Sequence, residues 1–355
     1  MVDAVCIGML FSVLTRHVFS LMATAYLFIV YNLLAFGLQV IIGFVIDNLK
    51  APRLAAVLGL IVTGLSTLFF PSRPVAAIII AGFGNALFHV GGGIISLNLT
   101  PRKAAAPGIF VAPGALGVLV GTLLGKSGKF ITWPFFAAMA ASAVIIFLVP
   151  EPAAYQGKTQ PPQQQEFKAE HIIYLILFVI AVRSLVGFAA VFPWRSDVNL
   201  LILLTAAVVL GKGLGGLLAD KFGWQLTAAG SLAVSIPLLT LGAGVPVCGI
   251  TGMFLFNINM PVTLAMISNV IPGKPGTAFG LTCLALVLGT LPSFTALQPK
   301  IGNILVIDIM VLIAAVVLYF SLHFYNKIQP ANKLKTEIRL KISPEQKFQE
   351  EKKSL

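Results

Sequence analysis

Twelve apolar stretches, most of them about 20 residues long, follow one another along this chain with only short polar connections. They lie near 2–15, 22–46, 53–71, 75–98, 105–125, 131–150, 171–191, 199–219, 223–243, 246–271, 276–295 and 303–325. About 20 apolar residues in helical form span a bilayer core. Lipid offers the backbone no hydrogen-bond partners, so a spanning segment is a helix or part of a closed barrel. These runs are too long and continuous for barrel strands. The reading is an all-α integral membrane protein with about 12 transmembrane helices. Composition agrees: 10% of residues are charged and 58% hydrophobic, where soluble proteins carry about 25% charge. The first run is short, with no basic residues before it and no small-residue cleavage site. It is expected to be a truncated first helix, or one whose natural start lies upstream.

The basic residues give the topology. Of the 24 Lys and Arg residues, sixteen fall on the even-numbered connections and the tail, and six on the other side. Arg183 and Lys212 fall inside spans. The positive-inside rule puts the richer side, and both termini, in the cytoplasm of a cell membrane. The net charge of +12 is explained by this bias. The loops lack the aromatic–basic interleaving suited to nucleic acid. Residues 151–170, "EPAAYQGKTQPPQQQEFKAE", are rich in Pro and Gln and read as a cytoplasmic linker. The domains expected are a six-helix bundle over 1–150, the linker over 151–170, a second bundle over 171–325 and a charged cytoplasmic tail over 326–355.

The halves repeat. "GFVIDNLK" (43–50) corresponds to "GLLADKFG" (216–223), and "NLTPRK" (98–103) to "NVIPGK" (269–274). Both copies run in the same direction, so the repeat is parallel. Each half holds a glycine four residues before an aspartate at a helix end: Gly43 and Asp47, then Gly216 and Asp220, with Arg53 and Lys221 following. Glycine permits close helix approach. A carboxylate at a helix C-terminus opposes the dipole and needs an outside donor, such as a neighbouring helix N-terminus. Such a contact can hold one conformation shut, which makes these six residues candidate gating elements. Alone, each copy is an ordinary polar loop, but its recurrence at matched positions argues otherwise.

This doubled Gly-x-x-x-Asp loop resembles the signature of the major facilitator superfamily, over the whole chain. In the first copy Asn48 stands where a basic residue is common, and in the second Trp224 replaces an Arg. With "GNALFHVGGG" (84–93) the chain is also similar to the fosmidomycin-resistance-like branch of efflux carriers. The resemblance implies that the first, fourth, seventh and tenth helices line a central cavity. Those spans carry Asp3; Asn85 and His89; Arg183; and Asn257 and Asn259. Asn85 and His89 share one helix face, and Asn257 is the repeat partner of Asn85. Ionisable groups inside a membrane are costly, by roughly 2.5–3.5 kcal/mol on insertion scales, and normally face a cavity or a partner. His89 titrates near neutral pH and is a proton-carrier candidate together with Asp3. Arg183 suits an anionic substrate group or an ion pair with Asp3. Asn85, Asn257 and Asn259 are substrate-orienting candidates, and Asn85 can alternatively orient the imidazole. Lys212 is expected to snorkel towards the cytoplasm, outside the site.

Gly91, Gly92 and Gly93 are read as packing or bending points of the fourth helix, and Pro261 and Pro292 as weak points in the second half. Pro113, Gly114 and Gly117 resemble the Gly/Pro-rich fifth helix of exporting superfamily members, although close helix packing accounts for them equally. No HExxH, paired His/Cys or G-x-S-x-G pattern is present, so neither an enzyme nor a metal site is expected. No cofactor is expected beyond a proton gradient. The expected function is secondary transport of a small organic solute by alternating access, as proton-coupled efflux, by a monomer in the lipid bilayer. The alternatives are uptake or exchange of an organic anion, and a non-transporting membrane sensor or assembly protein.

Overall fold

A computed structural model of the chain describes residues 1–16, 21–150, 168–294 and 303–341. Most of the linker (151–167) and the end of the tail (342–355) lie outside the described residues. The first bundle comprises α1 (Val2–Arg16), α2 (Leu21–Leu49), α3 (Pro52–Phe69), α4 (Pro74–Leu99), α5 (Ala105–Lys126) and α6 (Thr132–Leu148). The second comprises α7 (Lys168–Ala189), α8 (Val198–Phe222), α9 (Trp224–Leu239), α10 (Pro246–Val270), α11 (Pro275–Thr290) and α12 (Ile304–Lys341). Nine helices of the described residues are long and apolar enough to cross a membrane, and three shorter apolar ones accompany them.

The sequence punctuates these helices clearly. Proline opens α3, α4, α10 and α11, where its missing N–H costs nothing. The Asp197 side chain caps α8 by accepting from the N–H groups of Asn199 and Leu200. Gly223, at φ 95°, is the one residue between α8 and α9, a conformation glycine adopts without strain. Inside the bundles, α1 lies on α5, α3 on α4 and α6, α7 on α11 and α12, and α9 on α10 and α12. The two halves meet along two seams, α2 with α11 and α5 with α8. These seams exchange under the sequence repeat, which turns second helix into eighth and fifth into eleventh.

Four helices depart from simple spans. In α2 a π-helical turn, Leu33–Gly37, is closed by the Leu38 N–H donating to the Leu33 carbonyl at 2.9 Å. Helix α10 breaks between Asn257 and Met260, just before Pro261, whose ring cannot continue the hydrogen-bond ladder. Helix α11 passes into a 3₁₀ turn, Leu291–Phe294, at Pro292. Helix α12 runs past the expected tail boundary to Lys341, so the first part of the tail continues the twelfth helix. Helix α5, by contrast, passes Pro113 unbroken.

The α5 glycines earn their place by packing. Side chains at Gly117, Gly121 and Gly125 would meet the α1 backbone or side chains around Asp3, Ala4, Gly8 and Phe11. Close packing therefore accounts for the glycine-rich run. A Cβ at Gly121 would sit 2.9 Å from the Gly8 nitrogen. Gly121→Leu is expected to push α1 off α5 and cost about 1–3 kcal/mol. Thermal unfolding of the purified protein in detergent should show the loss, and a Val120→Leu control, at an exposed position off the cavity wall, should not.

Candidate functional site: a cavity closed at one end by two cross-bundle caps

The α2–α3, α4–α5, α8–α9 and α10–α11 connections share one face of the molecule, and both seams tighten there. At Gly43 any side chain would overlap the Gly276 backbone, and at Gly216 the Ala104 backbone. These approaches set α5 and α11 with their N-termini against the C-terminal ends of α8 and α2. The first turns of α5 and α11 receive no cap from their own N-cap side chains, Ala104 and Lys274, and every helix leaves its first N–H groups without internal partners. Aspartates from the opposite bundle fill the gap. Asp47 accepts from the Gly276 N–H at 2.8 Å, the Thr277 N–H at 2.7 Å and the Thr277 hydroxyl at 2.8 Å. Asp220 accepts from the N–H groups of Ala104 and Ala105, both at 2.9 Å, and from the Trp224 indole at 2.9 Å. Each carboxylate is repelled by its own helix's dipole and attracted by the one it caps.

The basic members of the two loops are placed differently. Arg53 donates to the Phe147 carbonyl at 3.5 Å, at the end of α6. The Lys221 ammonium sits 5.2 Å from the Phe222 ring centre instead of pairing with Asp220. Trp224, where the family pattern has an Arg, supplies a neutral donor. Its ring also stacks on Tyr325 of α12, with centroids 5.9 Å apart and planes 1° apart. The Tyr325 hydroxyl accepts from Asn269 of α10 at 2.9 Å.

Beyond the caps lies an apolar plug of Leu97, Leu264, Phe279 and Cys283, packed by Phe36 and Phe110. Beyond the plug a cavity of about 510 Å³ opens between the bundles. It reaches from Phe279, just inside the capped start of α11, to Arg195 in the α7–α8 connection on the opposite face. Helices α1, α2, α4, α5, α7, α8, α10 and α11 all contribute to its walls, so the second, fifth, eighth and eleventh join the four expected. The π turn of α2 brings Phe36 to the wall, a feature with no clear signal in the sequence.

On the first bundle's wall, Asp3, Asn85 and His89 meet. The Asn85 amide donates to Asp3 Oδ1 at 3.0 Å. His89 Nδ1 lies 3.1 Å from the Asn85 carbonyl oxygen, and Nε2 lies 3.4 Å from Asp3 Oδ2. A carbonyl oxygen only accepts, so Nδ1 carries a hydrogen. Nε2 then faces a carboxyl oxygen, and the two lone pairs repel unless a proton lies between them. The geometry therefore describes an acid–imidazole pair sharing one proton. Asn85 is fully buried and absent from the cavity wall. Its amide holds Asp3 in place, the orienting role expected as one alternative.

The second bundle's wall carries the cations. Arg183 is 6% exposed, lines the cavity and leaves its Nε without a hydrogen-bond partner. The expected ion pair with Asp3 is not formed, because Asn85 and His89 already engage that carboxylate. Lys212 also lines the cavity, which corrects the expectation that it snorkels away. It lies two turns of α8 from Asp220, too far inside the plug to reach the gate face. Its place within a span was the available signal. Arg195 stands at the mouth.

Asn257 and Asn259 sit at the break in α10, off the cavity wall. Their amides donate back to the carbonyls of Met253 and Phe256, both at 2.8 Å. These bonds serve the interrupted helix, while the Asn259 amide oxygen is buried without a partner. Helix α4 runs unbroken through the glycine triplet. Gly91 meets the α3 backbone, Gly92 the Phe110 ring and Gly93 the Phe279 ring. Gly114 faces Asp3, where a Cβ would lie 3.1 Å from Oδ2.

Two bundles related by a parallel repeat, with a largely apolar cavity carrying a few charged side chains between them, define a multi-pass membrane protein of transporter type. The pattern of the Major Facilitator Superfamily matches residues 1–293, and the chain belongs to that family. Its fold is similar to two crystal structures of FucP. One, described as the E. coli fucose:proton symporter, matches with a TM-score of 0.68 and 12% identity, over 91% of this chain and 96% of that one. The other, described as a Major Facilitator Superfamily transporter in the outward conformation, matches with a TM-score of 0.61 and 12% identity, over 91% and 97%. No curated protein matches the sequence.

Removing a capping side chain costs about 0.5–2 kcal/mol. Asp47→Ala is therefore expected to loosen this contact between the bundles by roughly 2- to 30-fold. Maleimide labelling of an Ala278→Cys reporter, at a fully buried gate position, should accelerate by that factor.

Proposed function

We propose that this chain is a proton-coupled secondary transporter that moves a small organic solute by alternating access. The observation that carries the reading is the 3.4 Å approach of His89 Nε2 to Asp3 Oδ2 on a cavity wall, a geometry suited to holding one proton. Adding or removing that proton changes the charge of the site by one unit, and so changes its affinity for a charged solute. The gate face carries Lys50, Arg53, Arg102, Lys103, Lys221 and Lys274, which supports a cytoplasmic orientation for it. The structure then corresponds to a form shut to the cytoplasm and open outward. Breaking both caps while the mouth closes would expose the same cavity to the other side. That FucP is described as a fucose:proton symporter supports proton coupling on this fold by analogy.

Efflux by proton antiport is the direction that the sequence resemblance implies. The second reading, uptake or exchange of an organic anion, is favoured by the cations on the second bundle's wall. Solute flux under an imposed proton gradient separates the two.

The coupling pair is tested in proteoliposomes with a panel of small organic anions, cations and neutral compounds and a pH-sensitive dye inside. Wild-type protein should move protons with at least one compound. Asp3→Asn should abolish that proton movement while solute exchange across the membrane persists. Unchanged flux with Asp3, His89 and Arg183 neutralised together would instead favour the sensor or assembly reading.

A further inference from the structure

Three cationic side chains and one carboxylate line the cavity. The carboxylate, Asp3, is already bonded to Asn85 and next to His89. Arg183 and Lys212, within electrostatic reach of each other, have no carboxylate hydrogen-bonded or ion-paired to them among the described residues. Buried charges normally come with counter-charges, because leaving them unpaired in a low-dielectric wall is costly. The remaining wall is largely apolar, with Val111, Met253, Leu264 and Phe279 among its side chains.

We infer that the solute is an organic anion clamped by Arg183 and Lys212, and that it binds together with the shared proton, not in exchange for it. The inference rests on the reading of this cavity as the transport site. An apolar body with one anionic head fits a wall of this kind, the head meeting the two cations and the body the aliphatic and aromatic surface. The sign of the coupling follows from charge. With its proton, the Asp3–His89 pair is neutral overall. Without it the pair is a net anion facing the bound solute across the cavity. Protonation therefore favours anion binding, and anion binding favours protonation, by the same factor. The groups facing the pair enter the same balance: Cys6, Tyr31 and the Met1 amine on its own side, and Arg183, Lys212, Arg195 and Cys283 across or along the cavity. The cations among them reinforce anion binding. A cationic solute exchanging for the proton would have to sit beside Arg183 and Lys212.

The test uses the full chain in lipid nanodiscs, with benzoate, succinate and inorganic phosphate as anionic probes. Tetraphenylphosphonium and a neutral hexose serve as controls. Calorimetry in two buffers of different ionisation enthalpy gives affinity and protons exchanged. At least one anion should bind with proton uptake, its affinity rising by up to about tenfold per pH unit on acidification. Arg183→Gln and Lys212→Gln should each weaken that anion about tenfold or more, Lys212→Arg should restore it, and Asp3→Asn should bind it without pH dependence. Failure of all three anions to bind overturns the inference, as does proton release on anion binding. Tetraphenylphosphonium binding that depends on Asp3 and pH, without anion binding, would also overturn it and leave proton coupling standing. Anion binding with no proton exchanged in the wild type would overturn the joint binding and the proton-coupling reading together, while the clamp survived.

Discussion

The arrangement depends on a carboxylate from one bundle completing the first turn of a helix in the other. Asp47 and Asp220 each end a helix whose dipole disfavours them, and each begins a helix that has no cap of its own. Neither partner is satisfied alone. Bringing the bundles together at one face solves both problems at once, and it places Gly43 and Gly216 where only a hydrogen atom fits. The cavity is what remains where the seams diverge above these contacts. A joint made of a few charge-assisted hydrogen bonds is strong enough to define a state and weak enough to be undone.

The cavity's own electrostatics are lopsided. One wall holds an acid, an imidazole and the amide that positions them; the other holds two cations with no carboxylate ion-paired to them among the described residues. A low dielectric magnifies both the attraction within the pair and the cost of the unpaired charges. Such a site suits a ligand that supplies the missing charge, and its two walls belong to the two bundles.

Much of the fold was legible in the sequence because lipid removes alternatives: long apolar runs become helices, and the doubled loop motif fixes the parallel repeat. The candidate site was legible in part. Asp3, His89 and Arg183 stood out as ionisable groups inside spans and do line the cavity. Lys212 carried the same signal but was read as reaching for water, since one sequence does not say which way a side chain on a 25-residue helix points. Asn257 and Asn259 were ambiguous for a related reason. An amide within a span serves a broken helix as well as a solute, and here both amides bond carbonyls beside the break. The π turn in α2 had no composition of its own to betray it.

Trp224 makes the two joints unequal in a way that bears on motion. Across the seam, Asp47 receives all its donors, Gly276 and Thr277, from the other bundle. Asp220 receives Ala104 and Ala105 from the other bundle but Trp224 from its own. When the bundles separate, Asp47 is stripped of every partner named here and turns to water. Asp220 keeps an indole already anchored on Tyr325, and so returns to the joint aimed. One side behaves as a latch that must be found again, the other as a socket that holds its shape while empty.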